Sequence, residues 1–111
     1  MSKTYRTIFS KSAEEDLDGI IDYYLAINVE YARKMLQSIE KRLSELKEYR
    51  ESGRIVPELE RQGIREYREL IEGNYRILFS IREDVVMVHE ILDARRNVEE
   101  LLLSKLMRNY E

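Results

Sequence analysis

One change of hydropathy period divides this chain and decides what it can build. Ala13, Leu17, Ile20, Ile21 and Tyr24 recur at three and four, and so do Ala32, Met35, Leu36, Ile39, Leu43 and Leu46. That spacing places one apolar stripe on each of two helices. From Ile64 onward the period becomes two, over 64–71, 75–82 and 85–92. Alternation at that spacing marks half-buried strands. Between the two regimes stands Ser52-Gly53-Arg54-Ile55-Val56-Pro57-Glu58-Leu59, which holds the only proline and reads as a loop crossing from helices to sheet. A helical hairpin followed by a strand meander cannot interleave into a parallel sheet. The expected class is therefore α+β, with helices gathered on one side of an antiparallel sheet.

The ends of the elements carry their own signals. Thr4–Ser10 alternates around Tyr5, Thr7 and Phe9 and reads as an N-terminal strand. Ser12-Ala13-Glu14-Glu15 has the spacing of a capping box and predicts a helix from there to about Ala26. Asn28 is placed to cap the second helix. Gly73-Asn74 suits a two-residue turn at positive φ, and Glu83-Asp84 separates the next two strands. Asn97 and Glu100 predict a last helix bearing Val98, Leu101, Leu102 and Leu106.

Two-residue turns set registers. Glu72 then opposes Tyr75, Ile71 opposes Arg76, Glu69 opposes Leu78, and Tyr67 opposes Ser80. One face gathers Leu70, Tyr75, Ile77, Phe79, Ile81, Val86 and Val88 as a core beneath the helices. The other mixes Arg65, Tyr67, Glu69, Arg76 and His89 with Ile71, Leu78, Met87 and Ile91. An ordinary solvated face is more uniformly polar, so this one reads as a partner or substrate surface, part-covered by the last helix. Glu66, Arg68 and Glu90 fall on the core side of this register, which calls for an edge or a bulge.

Composition narrows the chemistry. At 111 residues the chain is one domain's length. Its 19 basic and 22 acidic residues leave a net charge of −3, which speaks against a general nucleic-acid binder. Thirteen of the cations are arginine. No cysteine is present, and His89 is the single histidine, so a thiolate nucleophile and a multi-histidine metal site are both excluded within one chain. No metal or other cofactor is expected. No apolar run approaches the roughly 20 residues of a membrane helix, and the opening residues lack a signal peptide's apolar core. The expectation is a soluble, cytoplasmic protein.

The ordered set Phe9-Ser10-Lys11-Ser12-Ala13-Glu14-Glu15-Asp16-Leu17, Gly53–Leu59, Ile64-Arg65-Glu66, Arg68-Glu69-Leu70, Gly73–Phe79 and Ile91–Arg96 resembles the RelE/ParE superfamily of type II toxins, also called plasmid stabilisation proteins. The resemblance spans nearly the whole chain. It implies a growth-inhibiting toxin held by a cognate antitoxin that folds on binding. The mixed sheet face and Leu101, Leu102 and Leu106 are the docking sites it suggests. RelE-like members cut mRNA on the ribosome, whereas ParE-like members inhibit DNA gyrase.

RNA cleavage without a metal needs a base, an acid and cations for the phosphorane charge. In the RelE-like pattern an arginine after the tyrosine of the second meander strand serves the phosphate, and Arg76 matches it. Arg96, beside Arg95, matches a second arginine after the last strand. The two lysines of that pattern fall on Tyr67 and Glu69, and its base-stacking tyrosine falls near Leu102. Glu58 aligns with a glutamate other nucleolytic members use, and Asp93 stands where many have histidine. The electrostatic half of a nuclease site is thus matched and the proton-transfer half is not. The missing lysines and the acidic balance tip the expectation toward a non-catalytic gyrase inhibitor, with the ribosome-dependent nuclease as the alternative.

Each candidate also has a bland reading. Arg76 either binds phosphate or pairs with Glu69. Glu58 either transfers protons or pairs with Arg54. Arg95 and Arg96 either bind phosphate or form a charged turn. Arg65 pairs with a carboxylate more readily than it serves a site. Tyr67 either stacks a base or packs across strands. Glu69 beside Arg76 would be a weakened acid. His89 is the one side chain with an ordinary pKa near neutrality, yet a lone strand histidine is usually structural.

Overall fold

The computed structural model describes residues 6–46 and 53–93, together with Ser104. Strand β1 (Arg6–Phe9) leads into helices α1 (Lys11–Leu25) and α2 (Val29–Glu45). A crossing segment follows, with β2 (Arg54–Ile55) and the single turn α3 (Pro57–Glu60). The meander β3 (Arg68–Glu72), β4 (Tyr75–Arg82) and β5 (Val85–Asp93) completes a five-stranded sheet in the order β1-β5-β4-β3-β2. β1 joins parallel to β5, and the other pairs are antiparallel. The α+β expectation holds. The expected C-terminal helix, with Leu101, Leu102 and Leu106, lies outside the described residues. No described helix is long and apolar enough to cross a membrane.

The cap of α1 is Ser10, two residues before the expected Ser12. Its hydroxyl oxygen accepts from the Ala13 amide at 3.0 Å and donates to the His89 carbonyl at 2.8 Å. Ser12 instead gives its hydroxyl to the fully buried Glu90 carboxylate at 2.9 Å. A partner from β5 thus overrode the local capping box. Asn28 caps α2 as its sequence predicts, accepting from the Tyr31 amide at 3.1 Å.

The turn register is the one the two-residue loops require, with Glu72 opposite Tyr75 and Glu69 opposite Leu78. The first loop residue of each hairpin takes positive φ, 58° at Gly73 and 57° at Glu83. The register shifts at Leu78/Phe79, where β5 accommodates one extra residue. That bulge turns Ile91 opposite Ile77 and into the main core, correcting its assignment to the outer face. It also leaves Glu90 buried where Ser12 can reach it.

Two apolar clusters result. The larger lies between helices and sheet around Ile39, Leu46, Leu70, Ile77, Phe79, Val86 and Val88, with Leu17, Ile20 and Tyr24 packed against it. The smaller lies on the opposite sheet face, where Val56 and Leu59 cover Tyr67, Leu78 and Leu92, with Ile64 at its side. The expected strand from Ile64 therefore starts only at Arg68. Gly63 at φ 80° turns the chain after α3, and the Ile64 amide bonds back to the Leu59 carbonyl at 2.9 Å. The stretch before Arg68 is spent on covering the second face.

Candidate functional site

Pro57 starts α3 with its missing donor in the first turn, where none is needed. The next residue, Glu58, reaches over the outer sheet face. β4 presents Arg76 there, β3 presents Glu69, and Arg54 on the neighbouring β2 lies opposite Glu69. The four side chains meet. Arg76 Nε donates to Glu69 Oε2 at 2.7 Å, and its Nη2 donates to Glu69 Oε1. On the other side Nη2 donates to Glu58 Oε1 at 2.8 Å and Nη1 to Glu58 Oε2. Arg54 Nη2 approaches Glu69 Oε1 at 3.4 Å, so Arg54 serves Glu69 rather than the Glu58 of its expected pairing. The guanidinium is clamped on two edges by two carboxylates, both in the paired geometry that suits its fork.

Burial sharpens this arrangement. Arg76 is 7% exposed and Glu69 1%. The hydrogen bonds to Arg76 hold the Glu58 carboxyl below its ordinary pKa, against the upward push of partial burial. The same bonds raise Arg76 further above its already high value. A carboxylate with a depressed pKa is a poor proton acceptor at neutral pH. The quartet contains two positive and two negative groups, so it neutralises itself. A phosphate reaching Arg76 would have to displace a carboxylate.

His89 lies elsewhere. Its Nε2 stands 2.7 Å from Ser80 Oγ, and its ring meets Tyr67 edge-on at 5.1 Å. This group opens on a groove of about 720 Å³ that Glu66, Met87 and Arg82 also line, and that Glu58, Glu69 and Arg76 do not. Tyr67 is buried at 7% exposure, packed in the smaller cluster. Arg65 is exposed and pairs with Glu60 at 3.0 Å. The structure thus brings Glu58, Glu69 and Arg76 together and separates His89 from them. Arg95 and Arg96 lie outside the described residues. Sequence reasoning missed Ser80 as the partner of His89 and Arg54 as a member of the quartet. The cross-strand register Tyr67–Ser80 was the available hint for the first.

Burial pushes the His89 imidazole below its ordinary pKa. The unfolded chain, with its value near 6.5, then binds the proton first as pH falls. The histidine's contribution to stability is fully present above that value and is lost as pH drops toward the lower folded one. Urea midpoints should decline between pH 7 and 5, and His89→Gln should flatten that decline. An unchanged slope in the variant would show that His89 does not carry it.

Residues 7–98 match the family model described as the ParE toxin of the type II toxin–antitoxin system parDE. The chain belongs to the ParE toxin family. Its fold is similar to that of a chromosomal ParDE toxin–antitoxin system from P. aeruginosa, at 21% identity and a TM-score of 0.65, covering 83% of this chain and 98% of that one. It is also similar to the toxin–antitoxin complex RelBE2 from Mycobacterium tuberculosis, at 20% identity and a TM-score of 0.54, covering 81% and 98%. Among curated proteins nothing matches. The protein is thus a toxin of a type II system. Within this ParE-family chain, Arg76 is the centre of an ion-pair cluster with Glu58, Glu69 and Arg54.

Proposed function

We propose that this toxin acts as a non-catalytic inhibitor of DNA gyrase and is held inactive by a cognate antitoxin. The observation that carries this reading is the state of Arg76. A metal-free ribonuclease needs a cation free to receive the phosphorane charge and an acid or base that titrates nearby. Here the cation is taken up by Glu58 and Glu69, and Glu58 is held ionised. His89, the single histidine, does not reach the cluster. The match to the ParE toxin model supports the same target. The antitoxin follows from the family and from the ParDE and RelBE2 assemblies to which the fold is similar.

Brief expression of the toxin, with mRNA 5′ ends and plasmid supercoiling followed together, tests the target. The expected result is altered plasmid topology with intact message. New in-frame cuts in mRNA with unchanged topology would overturn the proposal in favour of the ribosome-dependent nuclease, with Arg76, Arg95 and Arg96 on the phosphate and Glu58, Glu69 or His89 moving protons.

A further inference from the structure

Five of the seven large apolar side chains exposed among the described residues fall within residues 23–31. Tyr23, Leu25, Ile27, Val29 and Tyr31 surround the turn between α1 and α2, with Tyr23 at 62% and Ile27 at 65% exposure. Single exposed apolar residues are ordinary, but a contiguous group marks an interaction site. The tip is held in shape. The Asn28 amide bonds to the Tyr24 carbonyl at 2.8 Å while its side chain caps α2. Tyr24 packs between the rings of Tyr23 and Tyr31, and its hydroxyl meets that of Tyr75 on the sheet at 3.2 Å. A preorganised apolar surface loses little entropy on docking.

Charge selects the occupant. Between Lys11 and Arg33 the chain carries six acidic residues and no basic one, so the remaining residues hold 16 acidic and 19 basic. The net −3 is therefore a strongly acidic stretch, 12–32, covering α1 and the turn, set against a mildly basic remainder that begins with the exposed Arg33 and Lys34 of α2. Glu14, Glu15, Asp18 and Asp22 are exposed along α1 and lead to the tip. Asp16 is engaged by the Ile91 amide, and Glu30 by Arg33 at 3.2 Å. Such a field repels nucleic acid. It also disfavours a second copy, because a two-fold interface would set acidic tip against acidic tip. It attracts a protein surface in which an apolar pocket is framed by lysines and arginines.

We propose that the acidic, apolar tip of the α1–α2 hairpin is the face that docks on the target enzyme, at a basic surface of the kind that holds DNA phosphates. This inference rests on the gyrase reading, since an enzyme that grips DNA must present such a surface. The apolar residues supply contact, and the acidic ones supply orientation and a fast encounter.

The test uses full-length toxin, purified gyrase holoenzyme and the cognate antitoxin. Ile27→Ser/Val29→Ser removes apolar contact, and Asp18→Lys/Asp22→Lys reverses the charge. Each should weaken gyrase binding at least tenfold, with antitoxin binding and the thermal midpoint within error of the parent. Binding of the parent should weaken with added salt and with excess linear duplex DNA, which fills the same basic surface. These last two readings need no variant. If the parent neither binds gyrase nor changes supercoiling, the function reading falls and takes this inference with it. If the parent binds and both variants bind within twofold of it, only the docking face is wrong. A selective loss of antitoxin binding or of self-association would assign the tip to that partner and overturn the inference.

Discussion

Arg76→Ala is expected to cost about 3–5 kcal/mol of folding free energy, the usual consequence of removing one partner from a buried ion pair. Glu69 would remain with its side chain fully buried and, among the described residues, with the exposed Arg54 at 3.4 Å as its one remaining ion-pair partner. Glu58 would lose its bidentate partner as well. A loss of this size is a large share of the stability of an ordinary domain, about 5–15 kcal/mol. Urea denaturation of the purified protein measures it directly. Replacing the three buried members of the cluster with apolar residues of similar volume, as Arg76→Met/Glu58→Met/Glu69→Leu, should recover most of the loss, because the remaining Arg54 is exposed and no charge is then left unpaired in the interior. An unchanged midpoint in Arg76→Ala would show that the clamp contributes little. The same effect governs how toxicity is interpreted. Loss of growth inhibition in Arg76→Ala reports unfolding unless the stability-restored triple variant is tested beside it. If the triple variant is toxic, the arginine has no role in chemistry.

Gly53→Ala should be the next most damaging single change. A Cβ there would lie 2.7 Å from Phe79 Cζ and 2.8 Å from the Glu69 carbonyl oxygen. Phe79 is fully buried and the carbonyl belongs to β3, so neither can withdraw cheaply. Overpacking of this kind costs about 1–3 kcal/mol. The strain falls where β2 meets β3, and β2 leads into the α3 turn that carries Glu58. The expected readout is faster hydrogen exchange at the Val56 amide, which bonds to the Tyr67 carbonyl at 3.1 Å, together with a lower urea midpoint. Unchanged exchange at Val56 would mean that the crossing segment is held independently of this contact. Gly53 also accepts from Arg68 Nη1 at 2.9 Å, through a carbonyl that the substitution leaves in place.

Elements set by local chemistry were legible without the structure. Both helices announce themselves through an uninterrupted apolar stripe, and the Asn28 cap is local by nature. The β3–β4 register follows from a two-residue turn and needs no distant contact. The elements that were not legible depend on partners far away in sequence. Ser10 outcompetes Ser12 as the cap because Ser12 is drawn to Glu90, 78 residues on. Ile91 changes faces because of a bulge that the alternation of apolar residues does not signal. The stretch from Ile64 to Tyr67 has a strand's composition but is drawn into the apolar cluster that Val56 and Leu59 form with Leu78 and Leu92, so the strand starts only at Arg68.

The candidate site divides along the same line. The sequence by itself determined which residues could do chemistry, that arginine dominates the cations, that one histidine is present, and that the class is α+β; the toxin reading came from its resemblance to the RelE/ParE superfamily. Residue types and periodicities are properties of short stretches, so they survive in one dimension. Whether Arg76 faces solvent or two carboxylates was decided only by the tertiary structure. That outcome requires α3 to swing Glu58 across the sheet and β3 to set Glu69 beside Arg76, at separations of 18 and 7 residues. In a buried setting the proximity of three charges, not their identity, determines whether an arginine is a ligand for phosphate or the centre of an ion-pair clamp.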